Sequence, residues 1–329
     1  MQQLKKILVI RLSSIGDIIL TTPLLRRLHA AYPDCVIDYC TKPPFAVLLA
    51  SNPRLSAIYT TEELPTGAYD LVIDLQRNLR SHAIASSVRA GRTVHYRKEN
   101  WKKWLMVQFK INLYGSSRSV VDRYQDALKD IELSTDCQGC ELYPSSDDRA
   151  FAQPFFESRQ KTIAICFGAK HFTKRYPSQG FAAIISLLLN EMPLQFLLLG
   201  GKEDAAHATE IMHSLPESSR ARVVNLAGNC SLMQTAALLE RSDAVLSNDT
   251  GLMHMASAFS KKLFVLFGSS SAAFGFLPYQ TPYELFEAEH LPCRPCSHIG
   301  RDHCPKGHFR CMNDLSAALI ARKILDCCT

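Results

Sequence analysis

The 329-residue chain is 47% hydrophobic and 21% charged, the balance of a globular enzyme with a sizeable core and room for about two domains. No apolar stretch approaches the roughly 18–20 residues of a membrane span: the longest, Phe181 to Leu189, stops at Asn190, and the run Ile7 to Ile10 behind Lys5 and Lys6 is too short for a signal peptide, so a cytoplasmic protein is expected. The net charge of +6 is uneven, with 12 Lys/Arg against Glu99, Asp122 and Asp126 between Arg77 and Lys129, which leaves the rest slightly acidic and points to a polyanion or an anionic membrane surface as partner of the N-terminal half.

Lys6-Ile-Leu-Val-Ile-Arg11 reads as a parallel strand covered on both faces. Ser13 to Asp17 forms a turn, and Leu20, Leu24, Leu28 and Ala31 then repeat at helical spacing before Pro33. Strands are predicted at Val36–Cys40, Ile58–Thr60 and Leu71–Leu75, with helical stretches between them. The polar segment Glu141–Lys161, with two prolines, suits a linker and one short helix. Beyond it, strands Thr162–Phe167, Leu194–Leu199, Val223–Leu226, Ala244–Ser247 and Leu263–Phe267 alternate with helices Phe181–Glu191, Ala205–Leu215, Leu232–Arg241 and Gly251–Phe259; Leu315–Leu325 closes the chain as a helix. This alternation predicts βαβ units and two doubly wound α/β domains facing a cleft, residues 1–150 and 151–329.

Four strand-to-helix turns carry candidate chemistry, because α/β sheets bind ligands at the carboxyl ends of their strands. In Arg11-Leu-Ser-Ser-Ile-Gly-Asp17 there is no GxGxxG spacing, and Asp17 at the helix start is either functional or simply favoured by the helix dipole. Ser247-Asn-Asp-Thr-Gly-Leu-Met-His254 ends a strand and opens a helix, a place where free N–H groups suit a diphosphate; an ordinary cap at Asp249 or Thr250 and a core His254 are the alternative. In Phe167-Gly-Ala-Lys-His-Phe-Thr-Lys174, Lys174 can neutralise a departing phosphate or be a solvated loop lysine. Leu199-Gly-Gly-Lys-Glu-Asp204 offers Glu203 or Asp204 to ribose hydroxyls, or as a helix cap.

The order and spacing of these segments are more specific than any one of them. The sequence resembles the heptosyltransferases of glycosyltransferase family 9 over essentially its whole length, closer to the heptosyltransferase II branch. The likeness rests on Ile7–Asp17 with Thr21-Thr-Pro23, on Lys174-Arg-Tyr-Pro177, above all on Asp249-Thr-Gly-Leu-Met-His254, and on Asp70–Gln76 and Val121-Asp-Arg-Tyr124. The resemblance implies a GT-B fold. It implies an inverting transfer, needing no catalytic metal, from ADP-L-glycero-D-manno-heptose in the C-terminal domain to a lipopolysaccharide acceptor on the N-terminal one. By that likeness Asp17 is the general base and Lys174 the catalytic phosphate-binding lysine. The donor set is Thr173, Lys174, Glu203 (with Asp204 nearly as good a match), Asp249, Thr250, Gly251, Leu252 and His254. Ser14, Gly16, Arg77, Arg80, Arg97 and Lys98 are expected at the acceptor. Residue types and chemistry agree: a carboxylate that takes the proton of a sugar hydroxyl contributes about 10²–10⁴-fold in rate, and a lysine with backbone N–H groups stabilises the charge growing on the diphosphate.

The twelve cysteines are expected to be reduced, with Cys35, Cys40 and Cys166 buried as small hydrophobes and Cys137-Gln-Gly-Cys140 a surface loop. Cys293, Cys296, Cys304 and Cys311, interleaved with His298, His303 and His308, have the density of a structural zinc or iron site. Similar cysteine segments occur in the heptosyltransferase II branch, and related clusters in autotransporter heptosyltransferases bind iron; a metal-free loop of thiols is the alternative. Trp101, Trp104, Tyr96 and Tyr124 punctuate the basic stretch and are expected at the headgroup level of a membrane surface, holding the protein peripherally on the inner membrane. Nucleic acid is disfavoured because no nucleic-acid motif accompanies the charge. Two other classes remain open from the sequence: a sugar-nucleotide epimerase or hydrolase on a GT-B-like fold, and a non-catalytic metal-stabilised glycan-binding protein.

Overall fold

A computed structural model describes residues 4–114, 118–131, 133–158 and 160–328. Eleven strands form two parallel sheets. The first contains β1 (Lys6–Ile10), β2 (Val36–Thr41), β3 (Ala57–Thr60), β4 (Ala68–Asp74) and β5 (Arg89–His95), in the order β3-β2-β1-β4-β5. The second contains β6 (Thr162–Cys166), β7 (Gln195–Leu199), β8 (Val223–Asn225), β9 (Ala244–Asn248), β10 (Lys262–Phe267) and β11 (Tyr283–Glu287), in the order β11-β10-β9-β6-β7-β8. Both are doubly wound, and together they make a GT-B arrangement.

The central strands are apolar throughout because both their faces are covered. Ile7, Val9, Ile37, Tyr39, Leu71 and Ile73 point to one side of the first sheet, Leu8, Ile10, Cys40 and Val72 to the other. In the second sheet Ile163, Ile165, Phe196, Leu198 and Leu246 pack under Phe181, Ile184, Ile185 and Leu188 of helix Ser178–Glu191. The terminal helix Ala317–Cys328 lies on that helix through Ile320 and Ile324. The opposite face of the second sheet, with Ala164, Leu197, Val245 and Val265, joins the core of the first unit in one continuous apolar cluster.

The helix expected after β1 is two helices, Ile15–Ile19 and Thr22–Ala31. Leu20 and Thr21 separate them, and the buried hydroxyls of Thr21 and Thr22 turn back onto the Ile18 and Ile19 carbonyls. Strands β5 and β11 were not foreseen. β5 reads Arg-Ala-Gly-Arg-Thr-Val-His and buries only Val94, so as an edge strand it carries no apolar run. Helix Ser146–Ala152, in the segment expected to link the units, packs on helix Leu232–Arg241, with Arg149 paired to Glu240 at 2.7 Å. The Cys137–Cys140 segment is not a free surface loop: Arg26 grips Asp136 at 2.5 Å and the Gly139 carbonyl at 3.0 Å, and Cys140 is buried. Among the described residues no helix is long and apolar enough to cross a membrane.

Candidate active site

The turns after β1 and β9 meet where the two units touch. Helix Ile15–Ile19 packs directly on helix Gly251–Ser257. Gly16 lies against the His254 ring: a Cβ there would come within 2.4 Å of His254 Cδ2. A Cβ at Gly251 would meet Ile15 at 2.8 Å. Each glycine is thus required by the close approach of the other unit's turn.

Arg11 leaves the end of β1 and is nearly buried. It donates to the Leu75 carbonyl at 2.7 Å and the Ser13 carbonyl at 2.9 Å, and its Nη2 reaches Asp17 Oδ1 at 2.7 Å. The second oxygen of Asp17 accepts from the Ser14 backbone N–H at 3.1 Å and from the Ser14 hydroxyl at 2.8 Å. The carboxylate therefore does cap its helix, but with one oxygen only. Burial alone would raise its pKa; Arg11 and the two Ser14 bonds outweigh burial and hold it below the ordinary carboxylate value. Arg11 is a residue the sequence reading missed as a site member, although it stands directly at a strand end.

Across the interface Lys174 Nζ contacts Asp249 Oδ2 at 2.7 Å, and the Ser270 hydroxyl donates to the same oxygen at 2.6 Å. These contacts depress the Asp249 pKa against the effect of burial. Neither Asp249 nor Thr250 caps the helix: Thr250 occupies the cap position without a side-chain bond. Of the alternative reading, the side-chain cap bond is missing, while His254 is buried as a core histidine would be. His254 is buried with no hydrogen-bond partner at Nδ1 among the described residues, and burial pushes its pKa down to about 4, so it is neutral at physiological pH. Leu252 and Thr250 are half-buried at the same turn.

Thr173, expected at the donor, is buried and also braces the loop. Its hydroxyl receives the Arg301 N–H at 2.8 Å and the Ser269 hydroxyl at 2.9 Å, tying the cysteine-rich loop to β10's end. Asp204 is buried and accepts the Gly201 N–H at 3.0 Å, burial raising its pKa, which leaves the exposed Glu203 as the free carboxylate of that turn.

On the N-terminal side, Asp74 organises the turn beyond β4 by accepting the Gln76 and Arg77 N–H groups at 2.9 and 2.8 Å, and Lys98 Nζ reaches the Arg77 carbonyl at 3.3 Å. Burial and the nearby Arg11 charge lower the Lys98 pKa. Lys103 is likewise lowered by burial and by Arg123, with Asp17 opposing. His298 of the cysteine-rich loop is lowered by burial, then by Lys103 and Lys174. One electropositive cleft thus reaches from Lys98 and Lys103 to Lys174. Lys103 was not singled out from the sequence, and only the fold brings it within the field of Asp17; His298, read there only with the cysteines, comes within the field of Lys103 and Lys174. Arg77, Arg80 and Arg97 are exposed, and Arg80 borders a shallow depression with Thr61, Leu64 and Ala83.

Two expectations need correction. Tyr96 and Tyr124 are buried, stacked edge-to-face at 5.0 Å, and belong to the core rather than to a headgroup belt. Among the described residues no three His, Cys, Asp or Glu side chains converge to hold a metal ion. Cys293 Sγ stands 3.8 Å from His308 Nε2, and Cys311 turns into the core beside Met312, so the four thiols lie in one region without forming a ligand cage.

The family model for glycosyltransferase family 9 (heptosyltransferase) matches residues 59–305, about three quarters of the chain. The chain belongs to glycosyltransferase family 9. Lipopolysaccharide heptosyltransferase 2 of Salmonella typhimurium is 27% identical over 297 residues, covering 82% of this chain and 84% of the relative. Two solved structures share the fold. A family 9 glycosyltransferase from Veillonella parvula superposes with a TM-score of 0.80 at 21% identity over 98% of this chain and 97% of its own. ADP-heptose LPS heptosyltransferase II of E. coli superposes at 0.69 and 23% identity over 97% and 99%. As a family 9 member the protein is a glycosyltransferase, and the epimerase, hydrolase and non-catalytic readings lose their footing.

Proposed function

We propose that this glycosyltransferase moves heptose from ADP-heptose to a sugar hydroxyl of a lipopolysaccharide inner-core acceptor, with inversion at the anomeric carbon. The observation that carries the reading is the junction of the two turns, where an ionised carboxylate (Asp17) and a lysine (Lys174) come from opposite units that touch through Gly16–His254 and Ile15–Gly251. The curated relative named above is a lipopolysaccharide heptosyltransferase, and the E. coli neighbour is named for ADP-heptose.

In this reading the N-terminal unit takes the acceptor and the C-terminal unit the donor. The acceptor oxygen bonds to the anomeric carbon as the carbon–oxygen bond to the diphosphate breaks, and the hydroxyl proton passes to Asp17. The electron pair leaves with ADP, whose growing charge Lys174 meets, assisted by the backbone at Thr250 and Gly251. Asp249 and His254 face the sugar; Glu203 is placed for the ribose. Lys98, with Arg77, Arg80 and Arg97 outside it, holds anionic groups of the acceptor. The enzyme works peripherally at the cytoplasmic face of the inner membrane.

The deciding experiment is Asp17→Asn assayed with ADP-heptose and a soluble core acceptor while ADP-heptose affinity is measured by calorimetry. Transfer should collapse with affinity kept. Near-normal turnover in a folded variant, or release of free heptose by the wild type without transfer, would overturn the assignment.

A further inference from the structure

Helix Asn100–Phe109 is built the wrong way round for a soluble surface helix. Met106 is its only fully buried residue, while Trp101, Trp104 and Phe109 are 58%, 56% and 59% exposed. Ile111 and Leu113 continue the apolar surface at 48% and 44%. Trp101 and Trp104 share a face at i, i+3 spacing, and Trp104 meets Phe109 edge-to-face at 5.3 Å. Of the lysines between them, Lys102 lies over the Trp101 ring at 5.8 Å and Lys103 turns inward. Lys102 pairs with Glu99 and lies 5.7 Å from the Tyr114 ring. Lys103 is half-buried on the side of Arg123. Among the described residues the other large exposed hydrophobics, such as Val36, Leu64, Leu187 and Leu319, are scattered singly, as on any protein surface. Five within thirteen residues are a patch, and a patch of that kind marks an interaction surface.

We propose that Trp101, Trp104, Phe109, Ile111 and Leu113 form a docking surface that seats this enzyme in the headgroup layer of an anionic phospholipid bilayer. Charge chooses the occupant: residues 97–114 hold five basic side chains and one acidic one, Glu99, within the most basic part of the chain. Exposed Arg97 precedes the aromatic helix, and Lys110 ends it with its ammonium donating to the Val107 and Pro295 carbonyls at 2.6 and 2.8 Å. Two indoles and a phenyl ring flanked by cations match the interface, where amphipathic rings rest at headgroup depth and basic groups meet lipid phosphates. The helix then has two working sides, with aromatics toward lipid and Lys103 toward the cleft. An acceptor anchored in the same leaflet would meet Asp17 without leaving the membrane. That orientation rests on the glycolipid-acceptor reading; the docking surface itself does not.

Trp101 and Trp104 are the only tryptophans in the chain, so intrinsic fluorescence reports the patch alone. The full-length enzyme is titrated with vesicles of phosphatidylcholine containing phosphatidylglycerol, and with phosphatidylcholine alone. The anionic vesicles should shift emission to the blue and co-sediment the protein, and added salt should weaken both effects. Phe109→Ser with Leu113→Ser keeps both indoles and should weaken vesicle affinity about tenfold or more. Its melting temperature and its transfer to a deacylated, soluble acceptor should stay at wild-type values. Emission unmoved by anionic vesicles would overturn the proposal. So would a wild-type dimer that the double variant converts to monomer without any vesicle effect, since a second copy would then own the patch. Vesicle binding with no heptosyl transfer would sink the catalytic reading and leave the docking surface standing.

Discussion

The two units each place one cation against one carboxylate at the end of a central strand, and the two pairs are built differently. In the N-terminal unit Arg11 is locked by the Leu75 and Ser13 carbonyls before it touches Asp17. Its partner is the more open of the two carboxylates, 20% exposed against 7% for Asp249. In the C-terminal unit the carboxylate is likewise held, by Ser270, but the cation is not: Lys174 arrives on a flexible stem from a short turn. A rigid guanidinium with planar donors is suited to permanent positioning; a lysine ammonium is a compact charge that can change partners. The first pair therefore reads as a tuned base and the second as a charge that an incoming diphosphate can draw away from Asp249.

The largest effect that can break this contrast is at Asp17. Asp17→Asn should lower turnover by about 10²-fold or more, with the dissociation constant for ADP-heptose within about twofold of wild type by calorimetry. If both quantities fell together, Asp17 would belong with the donor pair and the asymmetry would be lost.

Lys174→Ala should weaken ADP binding by roughly 1.5–3 kcal/mol, the worth of one charge-assisted contact, and calorimetry with ADP alone reads this without turnover. Because the substitution leaves Asp249 buried and unpaired, its melting temperature should also drop. Lys174→Ala, Asp249→Asn restores a neutral site and should recover stability without recovering affinity. Recovery of both would make Lys174 purely structural.

Arg11 sharpens the comparison through pH. With Arg11 present the Asp17 pKa is depressed, so this base stays ionised through the ordinary carboxylate range and costs no activity until the pH falls below it. In Arg11→Met burial is opposed only by the two Ser14 bonds and the pKa rises, so the acid limb of kcat/KM should move toward neutral pH by about one pH unit or more. Arg11→Lys should move it less. A limb that stays in place while kcat falls would make Arg11 a packing residue.

The smallest effect is expected at the exposed cations. Arg77→Gln with Arg80→Gln should raise the acceptor KM by a few fold, about 1 kcal/mol or less, and the effect should shrink at high salt. The donor KM, set in the other unit, should hardly move; an equal rise in both would reduce these arginines to a solvated face.

Most of the alternation was legible because parallel strands buried on both faces must be apolar runs: β1, β6, β7 and β10 needed no context. Edge strands were not, since β5 has one paired side and exposed residues on both faces, leaving nothing in Arg89–His95 to distinguish it from a loop. The same limit governed the site. The short stretches carrying Asp17, Lys174 and Asp249 stood out as strand-to-helix turns with glycine. The side-chain roles were less legible: that the Thr173 hydroxyl sits between Ser269 and Arg301 depends on residues far along the chain. Cys293 to Cys311 had metal-like spacing, but spacing along a loop does not aim sulfurs at one point, and Cys311 faces the core. Tyr96 and Tyr124 sat in a basic stretch yet pack together inside, because local composition does not tell which side of an element meets solvent.

The sequence by itself determined the class of fold, the segments that end at the cleft and the family likeness, all of which are local: hydrophobic period, turn residues and short motifs. Only the tertiary structure decided that Arg11 clamps Asp17, that Gly16 makes room for His254, that Lys103 and His298 join the cleft, and that Trp101 and Trp104 face outward. Each of those depends on residues far apart in the chain being brought within a few ångströms, and burial and electrostatic strength are properties of that proximity rather than of the residues themselves.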